Sequence, residues 1–421
     1  MTGVVSVLDD MCINSCTAFT GPLSDLDTCP YCSERRFEVR SGKSYPRKQA
    51  CTIPLGPQIQ ALRRSPEGAA ELGYRDRKTA EVLRAYNEAE NADNLVYDDI
   101  FSGNDVQTLC DRLSLTVDDI TVSFSLDGAQ LYVSKKSDTW IAIWIIDDYD
   151  PTTRYKKRRV LPALIVPGPN KPKNIDSFLF RSFYHVSALQ RENNGAGLRV
   201  WDALQRKSIS SRIVFIFGGA DAVALTELDG RVGHHGAQGC RISYVMKGRH
   251  KPSSGHYYAA HLRPNNSAAD DCNHPDYDFR QPPHLPSVAT YKADLEKIVN
   301  SRDQHAYEQN RKLTGLKKPS ILNGLVPEMM LPVPQCFSVD LMHLLFLNLG
   351  ELFIPLWRGG LKCETNDDIS TWDAYSLLSS ANLEILKPVD TVEQMDAPPG
   401  TGKAQAKKGK PMVPSSNLTR R

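Results

Sequence analysis

An α/β (α+β) fold built around a mixed sheet is predicted for this 421-residue chain by three observations. Residues 120–133, 140–146, 160–166 and 212–217 are dense in Val, Ile, Phe and Trp and read as strands. Residues 175–190 carry helical spacing between the third and fourth of these runs. An acid closes the first and last run: Asp127 within Leu126-Asp127-Gly128, and Asp221 after Gly218-Gly219-Ala220. Three strands, a helix and a fourth strand begin an RNase H-like order, in which carboxylates at strand tips gather around divalent metal.

Residues 1–40 read as a four-cysteine, zinc-ribbon-like segment. Cys12 and Cys16 form one close pair, Cys29 and Cys32 another. Four soft thiolates in two pairs suit tetrahedral zinc, and the intervening chain is long enough to fold back as a ribbon. Four protein ligands leave no open position for water, so such a site is structural. Residues 41–115 read as a linker and helical region. Pro46, Pro54, Pro57 and Pro66 mark loops, and helices are expected over 76–92 and 105–115. The first part of the core spans 116–230. Within it, Asp147-Asp148-Tyr149-Asp150 follows a strand and precedes Pro151, which reads as a solvated turn.

Residues 231–286 lack periodicity and are rich in Gly, His, Pro and Asn. A patch so long needs a reason other than packing. Cys240, His250, His256, Cys272 and His274 could hold a second zinc there, the alternative being scattered surface histidines. Residues 287–388 read as the helical remainder of the core. A polar helical stretch covers 290–313, and an apolar helix covers 337–357 with Leu341, Leu344, Leu345, Leu349 and Leu352 at helical spacing. Asp340 and Glu351 stand at its start and middle. Residues 389–421 have the composition of a disordered basic tail.

At 41% hydrophobic, 24% charged and net charge +2, the composition is that of an ordinary soluble protein of two or three units. There is no apolar run of membrane-spanning length and no basic region followed by a hydrophobic stretch, so neither a span nor a signal peptide is expected. Ten Cys, clustered in pairs or near His, fit zinc in a reducing, intracellular compartment better than a disulfide scaffold. Basic residues outnumber acids between Arg35 and Arg64, and residues 400–421 hold six Lys/Arg and no acid. Such patches suit phosphate backbones, although a solvated basic surface has the same composition. No Lys-Ser/Thr follows Gly218-Gly219, and no Gly-x-Ser-x-Gly elbow is present. His343 reads as a core or capping residue.

Several short motifs occur together. They are Cys12-Ile13-Asn14-Ser15-Cys16 with Cys29-Pro30-Tyr31-Cys32, Leu126-Asp127-Gly128, Ile165-Val166-Pro167-Gly168-Pro169 and Gly233-His234-His235-Gly236. Further along come Gly239-Cys240-Arg241, Gly248-Arg249-His250-Lys251-Pro252, His256-Tyr257-Tyr258, and Asp340-Leu341-Met342-His343-Leu344 followed by Leu356-Trp357-Arg358-Gly359. In this order, from about Cys12 to Gly359, they resemble the CACTA-type DNA transposases of the CMC superfamily, in the form spread through basidiomycete fungal genomes.

The resemblance implies an RNase H-like catalytic core with an inserted zinc-binding segment. It implies Mg²⁺ or Mn²⁺ as catalytic metal, structural Zn²⁺, and DNA as partner, both transposon ends and target. Self-association and a nuclear location follow from the same resemblance. Asp127 matches the family's first acid, Asp221 the second and Asp340 the third, with Glu351 as the alternative third acid. Two departures stand out. Tyr244 occupies the place of a second Cys in the insertion, and Leu344-Leu345-Phe346-Leu347-Asn348 lacks the Glu that plant relatives carry. Full-length members continue much further, so a truncated or degenerate copy is expected. Two competing readings remain: a non-catalytic, zinc-stabilised DNA-binding or interaction protein on a decayed core, and a nuclease without joining activity.

Overall fold

The computed structural model describes residues 3–88, 96–130, 138–233, 235–239, 249–250, 257–258, 286–338, 340, 345 and 349–357. The chain divides into two units, Met1–Leu344 and Leu345–Arg421. In the first unit the strands are β1 (Val7–Asp10), β2 (Phe37–Arg40), β3 (Lys43–Pro46) and β4 (Gln49–Thr52). Four helices follow: α1 (Leu55–Leu62), α2 (Pro66–Glu71), α3 (Tyr74–Glu88) and α4 (Asn104–Leu113). Next come β5 (Ile120–Gln130), β6 (Asp138–Ile146), α5 (Pro151–Arg154), β7 (Leu161–Val166) and α6 (Ile175–Arg191). After α6 come β8 (Leu198–Asp202), β9 (Lys207–Ser211), β10 (Ile213–Ala220) and α7 (Ala222–Leu228). A short hairpin of β11 (Arg249–His250) and β12 (Tyr257–Tyr258), then α8 (Val288–Val299) and α9 (Gln304–Thr314), complete the unit. The second unit contains α10 (Gly350–Trp357).

Six strands form one mixed sheet in the order β1-β4-β7-β6-β5-β10. Every neighbouring pair is antiparallel except β5 and β10, which run parallel. Beyond β10 the chain returns once more: Phe215 and Gly218 form parallel bridges to Met330 and Phe337. The Gly218 N–H donates to the Cys336 carbonyl at 2.8 Å. Phe337 therefore lies in extended chain, not at the start of the helix expected over 337–357; of that stretch the described helix is α10.

The alternation of β5 divides the sheet into two faces. Ile120, Val122, Phe124 and Leu126 point to the face covered by α6. There Phe124 packs at 4.8 Å from Trp144 and 4.9 Å from Phe183, which in turn meets Phe215 at 6.1 Å. Tilted and edge-on contacts of this kind add to the burial energy of the rings. The other face carries Thr121, Ser123, Ser125 and Asp127.

On that second face, near the start of β5, lies a buried ionic network. Asp148 accepts hydrogen bonds from Arg75 Nε (2.7 Å), the Thr121 N–H (2.6 Å) and the Thr121 hydroxyl (2.8 Å). Asp147 accepts from the Ser123 hydroxyl at 2.8 Å. Asp147 and Asp148 are 2% and 0% exposed, so this stretch is not the solvated turn its composition suggests. Arg75 on α3 lies far away in sequence, and it is the partner that makes burial of Asp148 tolerable.

Residues 41–75 are also more ordered than their prolines suggest. Pro54 is the N-cap of α1, and Pro66 opens α2 behind Ser65, whose side chain accepts from the Gly68 N–H. Proline at a helix start costs no hydrogen bond, because that N–H has no partner in the helix. β1 and β4 extend the main sheet, so the amino-terminal segment is continuous with the core rather than a separate module. The polar stretch 290–313 is two helices, parted where Asp303 caps α9 by accepting from the Ala306 N–H.

Asp148→Ala leaves Arg75 buried without its carboxylate, and a loss of about 3–5 kcal/mol is expected in denaturant unfolding. Asp147 gives stability a pH dependence. Burial is the main cause that holds its carboxyl up at about 8, while Arg154 and the Ser123 hydroxyl pull more weakly the other way. The unfolded chain ionises near the ordinary value of 3.8. Between those values the folded state binds more protons, so this group's contribution is full below the lower value and lost as pH rises to the upper one. Asp147→Asn cannot ionise. Its unfolding free energy should rise relative to the native protein as pH climbs from about 4 to about 8; a pH-independent difference would refute this.

Candidate metal centre and carboxylate tips

Each cysteine pair sits in a tight turn closed by one isolated antiparallel bridge, Met11 to Ala18 for the first and Thr28 to Arg35 for the second. The turns need left-handed backbone at Ser15 (φ 61°) and Ser33 (φ 59°), a conformation that small polar residues tolerate. Cys12, Cys16 and Cys29 are buried and Cys32 is partly exposed. Their four Sγ atoms lie within 4.8 Å of one another, and Cys12 and Cys32 are 3.4 Å apart. That separation is too long for a disulfide. It is close to the ~3.8 Å edge of a sulfur tetrahedron with Zn–S near 2.3 Å.

The surrounding hydrogen bonds suit thiolates. The Asn14 N–H donates to Cys12 Sγ at 3.4 Å and the Asn14 side-chain amide to Cys32 Sγ at 3.7 Å. Burial pushes the Cys16 and Cys29 thiols up. Burial also raises Cys32, but hydrogen bonds from the Glu34 backbone, the Asn14 side chain and the neighbouring thiols outweigh it, bringing it to about 7. Buried thiols that resist losing protons are turned into ligands by the charge of a divalent ion. The set can hold a structural metal ion such as zinc. Asn14, Ser15 and Ser33 escape a reading of the sequence; a small or polar residue beside each Cys is the only local signal for them.

The cluster is tied to the core. Lys173 and Asn174 donate their N–H groups to the Cys16 carbonyl at 2.9 Å. Thr17 Oγ1 donates to Ser177 Oγ at 2.8 Å, and the Ala18 N–H donates to the same hydroxyl at 2.9 Å. Asn174 and Ser177 are the N-cap and first turn of α6.

Asp127 and Asp221 lie level where β10 ends, Asp127 on β5, which continues to Gln130, and Asp221 just past Ala220. The parallel register pairs Leu126 with Ala220, and each aspartate is the next residue along. Likewise Gly218 pairs with Phe337, and Asp221 and Asp340 each lie three residues further on. Asp127 is exposed and has no hydrogen bond or ion pair to any described residue. Asp221 is the N-cap of α7; its Oδ1 accepts from the Val223 N–H at 3.0 Å and the Ala224 N–H at 2.6 Å. Behind Gly128 lies the Trp140 ring, which a Cβ there would meet at 3.2 Å. Lys171 sits 5.4 Å above that ring and 3.7 Å from Glu227.

Among the described residues, the only set of three or more Cys, His or acidic side chains with ligand atoms within 4.8 Å of one another is the four-cysteine one. Asp127 and Asp221 are level in register, and with Asp340 they do not form such a set. Glu351 is exposed in the first turn of α10, in the second unit. Of the second Cys/His group, Cys240, His256, Cys272 and His274 lie outside the described residues, and only the strand backbone of His250 is described. His343 and the basic tail also lie outside them. The basic stretch from Arg35 is partly neutralised, with Arg36 on Asp10 at 2.9 Å and Arg47 on Glu34 at 2.6 Å. No helix among the described residues is long and apolar enough to cross a membrane.

Compared with protein-family models, the chain matches none, and compared with curated proteins it matches none.

Metal analysis of the purified protein tests the cysteine centre. Cys29→Ser is expected to lower zinc content by one ion per chain and to lower the melting temperature. Unchanged zinc in that variant would rule the centre out.

Proposed function

We propose that the protein is a transposase-like polynucleotidyl transferase on an RNase H-like core, acting on DNA through divalent metal. The observation that carries this reading is the strand order. β7-β6-β5-β10, with β10 parallel to β5, brings Asp127 and Asp221 to one level on adjacent chain segments, and a further segment bridged to β10 at Phe337 carries Asp340 three residues on in sequence. The motif resemblance to CACTA-type transposases supports the same reading.

The carboxylate chemistry suits Mg²⁺ or Mn²⁺, hard cations that prefer oxygen ligands. Asp127 has both oxygens available, and the cap at Asp221 uses Oδ1, leaving Oδ2 for a ligand. Metal held there would supply activation of a water or 3′-hydroxyl and stabilisation of the leaving oxygen. The exposed position of Asp127 leaves room for a phosphodiester, and Lys171 lies on the neighbouring loop as a counter-charge. The four-cysteine centre would be structural, holding the sheet edge and the start of α6.

A second reading is a non-catalytic DNA-binding protein on the same core. The engagement of Asp221 as a helix cap favours it, because a cap alone would justify an aspartate at that position.

Mn²⁺-dependent nicking of labelled duplex DNA separates the two. Asp127→Asn and Asp221→Asn are each expected to reduce nicking on the order of 10²–10³-fold, as for loss of a charge-stabilising group in an active site. Asparagine still caps a helix, so Asp221→Asn should melt like the native protein. Nicking that persists undiminished in both variants would sink the catalytic reading.

A further inference from the structure

A second charged feature lies along the chain from the aspartates. A surface cavity of about 340 Å³ opens between the loop that follows α7 and the end of α9. Gly233, His235 and Gly236 line one side; Arg311, Lys312 and Lys317 line the other. Its size is at the lower end of small-ligand sites, roughly 300–1,000 Å³.

The walls are fixed to each other by main chain. Arg231 bridges Leu316, the Val232 N–H donates to the Gly315 carbonyl at 2.8 Å, and the Lys317 N–H donates to the Gly230 carbonyl at 2.7 Å. Gly230 and Gly315 hold φ values of +70° and +72°, and a Cβ at Gly230 would fall 2.2 Å from the Lys318 carbonyl oxygen. A Cβ at Gly236 would fall 2.5 Å from Val232 Cγ2. Only glycine at position 230 lets this chain lie so close to the segment that follows α9, and only glycine at 236 fits against Val232.

The charge of this region is unbalanced. Neighbouring acids already have cations: Glu227 has Lys171, Asp176 has Lys318 and Asp229 has Arg231. Arg311, Lys312 and Lys317 form no salt bridge with any described residue. Arg311 and Lys312 lie in the last turn of α9, where the helix dipole favours cations. That accounts for two charges but not for Lys317, which follows the helix on the far side of Gly315. Lys317 is half-buried, and burial pulls its ammonium below the usual range against the attraction of Glu227 and Asp229. A desolvated cation without a direct ion pair is a cost that an incoming anion offsets. The Arg311 guanidinium is steadied over the Tyr307 ring at 5.9 Å.

We propose that this cavity binds a backbone phosphate of a nucleic-acid strand. The proposal rests on the nucleic-acid reading above and adds an anchor apart from the strand tips. Gly233 lies against Thr226 of α7, the helix that Asp221 caps, so both features belong to one stretch of chain. A strand held at the tips could be gripped again at this loop.

The test is fluorescence anisotropy of a labelled short DNA duplex with the full chain, titrated at several salt concentrations. Lys312→Gln/Lys317→Gln is compared with the native protein, and Arg311→Gln/Lys312→Gln serves if the first variant melts early. The expected result is an affinity lowered about tenfold at low salt, with a salt slope shallower by about 0.9 for one lost phosphate contact. Inorganic pyrophosphate should compete with the duplex for the native protein and less for the variant. Affinity and slope unchanged in the variants, or no DNA binding by the native chain, would overturn the proposal. Nicking by the native protein is scored in the same samples. A shallower slope without nicking keeps the phosphate site and removes the strand-cleavage reading; nicking with an unchanged slope does the reverse.

Discussion

The parallel pairing of β5 with β10 is the constraint on which the rest of the molecule depends. Both strands begin at one clamp. Asp119 accepts from the Arg212 N–H at 3.1 Å and from its guanidinium at 2.9 and 2.7 Å. Burial would raise the Asp119 carboxyl, yet the bonds from Arg212 and from the Thr116 backbone prevail and hold it below the ordinary range. With the starts fixed together, the parallel register, with one extra residue taken up in β10 between Phe215 and Gly218, brings Ala220 level with Leu126. A slip of one residue in β5 would exchange its two faces, putting Phe124 and Leu126 where Ser125 and Asp127 now stand. The aromatic cluster on one face and the Asp148 network on the other both oppose that slip. The aspartate positions are thus a consequence of core packing as much as of any selection at the tips.

The central elements are legible in the sequence because their signals are local and dense. β5, β6, β7, α6 and β10 follow the apolar runs closely, and β10 continues past the run at 212–217 through Gly218 and Gly219 to Ala220. The cysteine pairs are legible for the same reason, since ligand spacing is a short-range property. What is not legible depends on distant partners. β1 and β4 are only four residues each, without a long apolar run, and they are strands because β7 offers β4 an edge. The β8–β9 hairpin alternates a few buried residues, Val200 and Ile209, with polar ones, too weak a pattern to register. The acids at 147 and 148 read as surface because nothing nearby in sequence announces Arg75.

Asp221 shows why a site can be located from sequence more readily than its role. A capping carboxylate and a metal-binding carboxylate need the same residue at the end of a strand and before a helix, and both uses favour the same side-chain direction. Here one oxygen is committed to α7 and the other is not, so the two uses are compatible in one residue. The four-cysteine centre has no such ambiguity, since four convergent sulfurs beneath an amide donor have little to do but bind a soft ion.

The attachment of the first strands to the sheet edge has a consequence for biosynthesis. A chain emerges amino terminus first. β1 and β4 pair with each other within the first 52 residues, but the outer edge of β4 waits for Leu164 and Ile165 of β7. Until then a nascent chain displays an unpaired strand, the kind of edge that invites association with other chains. The cysteines, complete by residue 32, need no later segment to close around an ion. Captured zinc would make this turn the earliest fixed point of the growing polypeptide, a template already in place when its partner strand leaves the ribosome.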